Sequence, residues 1–163
     1  MKPIGFVLVM NGGVKVTNKT EGMLPDIERS IIIDAPIQKV WDAVSTSEGL
    51  SAWLMPNDFQ PVLGFEFTFR SEPKNGWDGI VYCKVMELNP PERIGFTWTG
   101  NGMDQYVSFE LVPLEKNATQ FILVHSGWKA EHAMLREIMY EGWGYITEGL
   151  RKKIGDEKSE FLS

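Results

Sequence analysis

Residues 31–56 read IIIDAPIQKVWDAVSTSEGLSAWLMP, and the hydrophobic period of this stretch changes at Pro36. Ile31 and Ile33 continue an alternating pattern that starts near Ile27, which predicts a strand with one buried face. After Pro36 the apolar residues recur three and four positions apart, which is the spacing of one helix face. The sequence therefore predicts a strand that leads directly into a helix.

Candidate capping residues mark two helix starts in this stretch. Asp34 is placed to accept hydrogen bonds from the free N–H groups of the first helical turn, and Pro36 lacks a donor that would be unpaired there. Ser45 and Glu48 fit a capping box for a second short helix, which ends before Pro56. We therefore expect two short helices after the first strand.

The chain after Pro56 is predicted to form consecutive strands joined by turns. Phe65, Phe67 and Phe69 alternate with polar residues, as in a half-buried strand. Further strand patterns follow near residues 80–88, 94–99, 106–112 and 119–126. Because no helical crossover separates these strands, the sheet is predicted to be antiparallel, with six to seven strands, and the fold class to be α+β.

The last segment returns to a helical period between residues 131 and 154. One stripe of this helix consists of Leu135, Met139, Gly142, Ile146 and Leu150. Such a helix is the expected cover for the apolar face of the sheet. Gly142, Gly144 and Gly149 each cost about 1 kcal/mol relative to Ala inside a helix. We therefore expect either a close backbone approach to the sheet or space left for another molecule.

Composition restricts the classes of partner. The chain has 163 residues, enough for one domain with a real core, and a net charge of −6. A negative balance argues against general affinity for nucleic acid or for an anionic membrane surface. Cys83 is the single cysteine, which excludes an internal disulfide framework and fits a reducing cytoplasm. We expect a cytoplasmic protein with no nucleic-acid partner and no membrane insertion.

The sequence predicts one main domain with a separate segment at each end of the chain. Residues 4–10 are apolar but too short to span a membrane, and the Asn-Gly-Gly sequence at residues 11–13 is typical of a hairpin turn. For residues 1–24 two interpretations remain, an extra hairpin and an extension outside the main fold. The main domain is expected at residues 25–155, and a charged tail at residues 156–163.

The sequence contains no clear catalytic or metal-binding pattern. His125, His132 and Cys83 fit no known zinc-ligand spacing, so no metal and no cofactor are expected. His125 is in phase with Leu123 and should point at the apolar face. There it would orient a ligand carbonyl, act as an acid or base, or be a core histidine bonded to a neighbouring group. Because no titratable partner is evident, the sequence favours the core histidine.

Aromatic residues supply the candidate ligand-binding site, since the chain contains six Trp and nine Phe. Several are predicted to meet between the sheet and the last helix, where they would line a pocket or pack as a solid core. Trp53 and Phe59 are expected near one mouth of such a pocket. The candidate ligand-binding residues are Trp53, Phe59, Phe67, Trp98, Phe109, His125, Met139 and Trp143.

The residues around the first helix also resemble a known superfamily. The motif at residues 34–43, DAPIQKVWDA, resembles the helix-grip superfamily (SRPBCC) of START-like, pollen-allergen-like and polyketide-cyclase domains. Within it, the chain looks most like the bacterial branch named after the heat-shock protein 90 ATPase activator. Weaker matching stretches are residues 89–94, 96–98 and 125–128. The resemblance covers residues 25–154 and implies a seven-stranded sheet wrapped around the long helix, with a cavity between them.

Three functions stay open at this point. The favoured one is non-enzymatic binding of a small hydrophobic ligand, lipid-like or aromatic and polyketide-like, in that cavity. The resemblance also implies a co-chaperone-like module with a chaperone as partner. A cyclase-type or hydrolase-type enzyme that uses His125 is the third.

Overall fold

The computed structural model describes residues 23–162, with side chains described up to residue 155. The predicted N-terminal hairpin lies outside these residues. Within the described part, the elements follow in the order β1 (Ile27–Ile33), α1 (Ile37–Val44), α2 (Ser47–Trp53), β2 (Glu66–Arg70), β3 (Ile80–Asn89), β4 (Arg93–Gly100), β5 (Met103–Leu114), β6 (Ala118–Ser126) and α3 (Ala133–Leu162). Single 3-10 turns precede β6 and α3.

The strands form one antiparallel sheet in the order β1-β6-β5-β4-β3-β2. The predicted α+β class is therefore confirmed, and residues 23–162 contribute six strands rather than the seven that the resemblance implied. The first strand lies beside the last one, so β1 and β2 are the two edges. Helices α1 and α2 connect those edges, and α1 packs against β5 and β6 on the way.

The residues at the starts of the two short helices can be compared with the prediction. Pro36 is the N-cap residue of α1 and forms no side-chain cap bond itself. Thr46, not Ser45, caps α2, because its hydroxyl oxygen accepts from Gly49 N at 2.9 Å. Ser45 still belongs to the end of α1, since its Oγ donates to Trp41 O at 2.6 Å. Thr46 also donates to Asp42 O at 2.8 Å, so it joins the end of α1 to the start of α2.

The core lies on the face of the sheet that the helices cover. Each helix contributes buried apolar side chains: Val40, Trp41 and Val44 from α1, Leu50 and Trp53 from α2, and Trp143, Leu150 and Ile154 from α3. The strands supply an almost continuous layer of rings, in which Phe67, Phe69, Phe96, Phe109 and Phe121 are buried. Rings of this size bury large apolar areas and make up much of the interior of a small domain.

Helix α3 is buried along only part of its length. Its buried stripe runs through Trp143, Thr147, Leu150 and Ile154, whereas the earlier positions Leu135 and Met139 are half-buried. The helix continues to Leu162, beyond the predicted end at residue 154. The apolar period stops at Ile154, but Glu and Lys have a high intrinsic helix propensity, so the period alone underestimates the length of the helix.

A close approach explains one of the three glycines of α3. A Cβ atom at Gly144 would lie 2.7 Å from Nη2 of Arg29 on β1. That guanidinium donates to Tyr140 O at 2.8 Å and lies 3.9 Å from the centroid of the Tyr140 ring. At Gly142 and Gly149, in contrast, a Cβ would meet nothing within 4 Å. The close contact at Gly144 is therefore with the end of the Arg29 side chain and not with the backbone of the sheet.

The same substitution should have opposite effects at two glycines. A Cβ at Gly49, where α2 crosses the end of α1, would lie 2.7 Å from the carbonyl oxygens of Asp42 and Ala43. We expect Gly49→Ala to lower the free energy of unfolding by about 1–3 kcal/mol through overpacking. Gly149→Ala should raise it by about 0.5–1 kcal/mol, because Ala is the better helix former. Urea unfolding of both variants measures this; effects of the same sign would contradict the packing described for Gly49.

Candidate ligand-binding site

A cavity of about 430 Å³ lies between the first half of α3 and one end of the sheet. Leu135, Met139 and Ile146 form its helix wall. Trp98 of β4 and Gln105 of β5 belong to its sheet wall. The cavity exists because the buried stripe of α3 starts only at Trp143, so the preceding helical turns leave the end of the sheet incompletely covered.

The connection between β2 and β3 supplies a third wall. Lys74 and Trp77 line the cavity from this connection, and their backbones pair with each other. Trp77 Nε1 donates to Ile80 O at 3.2 Å, which holds the indole beside the start of β3. Lys74 is the single charged residue among the lining residues and is exposed. The cavity therefore has an apolar interior, with one cation in an exposed turn.

Gln105 is the one buried polar residue among those that line the cavity. The register of β4 and β5 places it directly opposite Trp98. Its amide nitrogen lies 3.8 Å from Sδ of Met103, another lining residue. On its other side Gln105 meets His125: the amide oxygen lies 2.7 Å from His125 Nε2. Gln105 thus connects the cavity with the polar group behind it.

His125 is fully buried and both of its ring nitrogens are bonded. Nδ1 lies 2.9 Å from Nε1 of Trp143 on α3, and Nε2 faces the oxygen of Gln105. An indole nitrogen can only donate, so Nδ1 accepts and Nε2 carries the proton. Burial lowers the pKa of His125 to about 3. The imidazole is therefore neutral at ordinary pH, which agrees with a core histidine.

A cluster of rings surrounds this histidine. The His125 ring centroid lies 4.7 Å from that of Trp128, 5.4 Å from that of Trp98 and 6.0 Å from that of Trp143. Trp128 Nε1 also donates to His125 O at 3.1 Å. Trp98 and Trp128 both reach the cavity lining, whereas Trp143 lies behind it. The rings therefore form part of the cavity wall and the layer directly behind it.

The structure separates the eight predicted site residues into three places. Trp98 and Met139 line the cavity, and His125 and Trp143 lie directly behind its wall. The remaining four belong to the aromatic core away from the cavity lining: Trp53, Phe59, Phe67 and Phe109. There the Trp53 and Phe109 centroids are 5.6 Å apart, and those of Phe59 and Phe67 are 5.1 Å apart. Trp53 also borders a separate groove between α2 and the end of α3.

Sequence reasoning missed several lining residues, among them Trp77, Met103 and Gln105. Gln105 had a usable signal, because it is in phase with Val107 and with the buried residues that follow on the same strand face. A polar residue at such a position needs a partner in the interior. Trp77 lies in a turn region without a hydrophobic period, so no pattern indicated which way its side chain faces.

Two other properties concern the described residues as a whole. No group of three or more His, Cys, Asp or Glu residues between residues 23 and 162 is placed to hold a metal ion. No helix of the described chain has the length and apolar character needed to cross a membrane.

The state of His125 should be visible in the stability of the protein. Its pKa of about 3 in the folded state lies below the value near 6.5 of an exposed histidine. Between these two values the unfolded chain binds a proton on His125 and the folded protein does not. The stability present above pH 6.5 is therefore lost as the pH falls toward 3, by about tenfold in the unfolding constant per pH unit. Urea unfolding between pH 7.5 and pH 5 should show a steeper loss for the natural protein than for His125→Gln.

Nitrogen NMR tests the same assignment without a variant. The His125 spectrum should show a proton on Nε2 and none on Nδ1, with no change between pH 8 and pH 5. A protonated Nδ1, or a titration in that range, would contradict the hydrogen-bond pattern.

Comparisons with known proteins extend these observations. Residues 34–155 match the family described as Activator of Hsp90 ATPase homolog 1-like protein. A solved structure from Bacillus halodurans is 38% identical, with 82% of this chain and 99% of that chain covered and a TM-score of 0.70. The Aha1 dimer from Colwellia psychrerythraea is 25% identical, with 80% and 96% covered and a TM-score of 0.68. No curated protein matches the sequence.

A more distant structure shares the fold alone. DynU16, a protein of the dynemicin biosynthetic locus, is 19% identical, with 80% of this chain and 47% of that chain covered and a TM-score of 0.66. The family match spans the chain from the Asp34 motif to the buried part of α3, and the structural matches reproduce the sheet and its helices. The chain therefore belongs to the Activator of Hsp90 ATPase homolog 1-like family of helix-grip proteins.

Proposed function

We propose that this protein binds a small, largely aromatic or lipid-like molecule in the cavity between α3 and the sheet, without chemical conversion. The cavity itself carries the proposal. Its volume of about 430 Å³ falls within the range of small-molecule sites, and its walls are mainly apolar with a few polar groups. The family supports this proposal, since the fold family includes ligand-binding and polyketide cyclase-like members.

The type of apolar residue favours an aromatic ligand. Trp77 and Trp98 offer ring surfaces on two walls, and such surfaces pack well against flat molecules. Met55, Met103 and Met139 complete much of the lining, and methionine adapts its shape to different ligands. We infer that the site prefers flat apolar molecules and accepts different outlines among them.

Binding without conversion fits the position of His125 better than catalysis does. An acid or base must reach the proton that it transfers. Both ring nitrogens of His125 are bonded to other side chains of the protein, and the ring is fully buried. The proposal also retains a cytoplasmic location, for which the single buried Cys83 without a disulfide is the supporting observation.

A matched pair of substitutions on α3 tests the site. Met139 lines the cavity, whereas its neighbour Ile138 is 60% exposed. Met139→Trp should fill the space and weaken binding of the neutral fluorophore N-phenyl-1-naphthylamine at least tenfold. Ile138→Trp, which adds a ring of the same size outside the cavity, should leave the affinity unchanged. Fluorescence titration measures both.

Two outcomes would overturn the proposal. One is the absence of saturable fluorophore binding to the natural protein. The other is equal loss, or no loss, of affinity in the two variants. Circular dichroism of each variant serves as the control for folding.

The family match also supports a second function, as a co-chaperone that acts on the heat-shock protein 90 ATPase. If this is correct, adding the protein to the chaperone of the same organism should raise the ATPase rate, and the two should elute together on sizing. An unchanged rate together with no complex would exclude this function.

A further inference from the structure

We propose that the ligand presents a hydrogen-bond acceptor, of the carbonyl type, to the side-chain amide of Gln105. The inference rests on the proposed binding function and deepens it by specifying one chemical group of the ligand. It follows from a chain of three side chains, Trp143, His125 and Gln105, that runs from α3 along the covered face of the sheet to the cavity wall.

The chain starts at a group with a single possible role. The indole N–H of Trp143 can donate but cannot accept. Its nitrogen lies 2.9 Å from Nδ1 of His125, so that nitrogen must present a lone pair. A neutral imidazole with a lone pair on Nδ1 carries its proton on Nε2. The helix thereby fixes the tautomer of a histidine on the sheet.

The fixed tautomer orients the amide of Gln105. Because His125 Nε2 donates, the atom 2.7 Å away must be an acceptor, which is the amide oxygen. Oxygen and nitrogen of a glutamine amide are hard to distinguish by shape, but the donor on His125 removes the ambiguity. The NH2 group of Gln105 is therefore the end left for the cavity.

That NH2 group lacks a strong partner inside the protein. It lies 3.8 Å from the Met103 sulfur, and a thioether is only a weak acceptor. The side chain is 4% exposed, so water reaches it poorly while the cavity is filled by an apolar molecule. A buried donor without an acceptor is costly. A ligand oxygen at this point removes that cost, whereas a hydrocarbon of the same shape does not.

The other polar lining residues do not give the same selectivity. Ser71, Asn101 and Lys74 lie at exposed positions, where water competes for every hydrogen bond. Thr99 is half-buried, but its hydroxyl already donates to Tyr82 O at 2.9 Å. Gln105 lies opposite Trp98 within the sheet, so its donor points from a fixed place beside a flat ring. The geometry therefore favours an aromatic ketone or a similar carbonyl compound over a pure hydrocarbon.

Two nearly isosteric probes test this inference. Benzophenone carries a C=O group where 1,1-diphenylethylene carries C=CH2. We expect the natural protein to bind benzophenone about five- to tenfold more tightly, the worth of one net hydrogen bond. In Gln105→Leu the two probes should bind equally. Competition with N-phenyl-1-naphthylamine gives both affinities, and circular dichroism checks that the variant is folded.

The results separate this inference from the proposed function. Saturable binding of both probes to the natural protein with equal affinity overturns the acceptor requirement and leaves the binding site intact. If neither of the two probes nor the fluorophore binds, both the inference and the proposed function are overturned. A preference for benzophenone that disappears in Gln105→Leu supports the inference.

A measurement on the natural protein keeps the test decisive if the variant does not fold. The chain has four glutamines, Gln38, Gln60, Gln105 and Gln120, so selective ¹⁵N labelling gives a readable set of side-chain amide signals. One pair of NH2 protons, close to the Trp rings, should shift downfield with benzophenone and not with 1,1-diphenylethylene. Identical spectra with the two probes would overturn the inference.

Discussion

The hydrogen bond from Trp143 Nε1 to His125 Nδ1 joins the last helix to the sheet where neither group is exposed. Inside a protein an unpaired donor or acceptor costs more than a bond of this kind contributes. The bond therefore acts as a constraint: α3 has to place its indole there, and the histidine has to adopt one tautomer. Through Gln105 the same constraint reaches the cavity wall. Helix position, tautomer and the polarity of the site are thus parts of one arrangement.

The place of the cavity follows from how far each helix reaches across the sheet. Helices α1 and α2 bring Trp41 and Trp53 onto the phenylalanine layer, and α3 closes that half of the core with Leu150. The turns of α3 before Trp143 lie over the other half with only half-buried side chains, such as Leu135 and Met139. A single long helix can be tightly packed at one end and leave space at the other. This is how a fold with a well-packed aromatic core can also contain a binding site.

The sequence predicted the fold better than the site, and the reason is physical. A hydrophobic period tells which face of a strand is covered, so the strand before Pro36, the antiparallel run and the long helix were all predictable. It does not tell what covers that face at each point. Phe67 and Phe109 share a sheet face with Trp98, yet Phe59 packs against the first and Trp53 against the second, while open space adjoins the third. Gln105 was predictable in principle, because it is a polar residue in phase with buried ones.

The hydrogen-bonded chain of Trp143, His125 and Gln105 contains no charged group, yet it places a polar donor in the wall of an apolar cavity. A lysine or carboxylate at the position of Gln105 would have to be desolvated together with the ligand, which is far more costly than desolvating an amide. The amide instead receives its orientation from His125, whose low pKa keeps the imidazole uncharged. The donor at the wall is then the same at every pH at which the protein is folded and the histidine neutral. Any pH dependence of binding in that range would have to come from outside this hydrogen-bonded chain, because His125 does not titrate there.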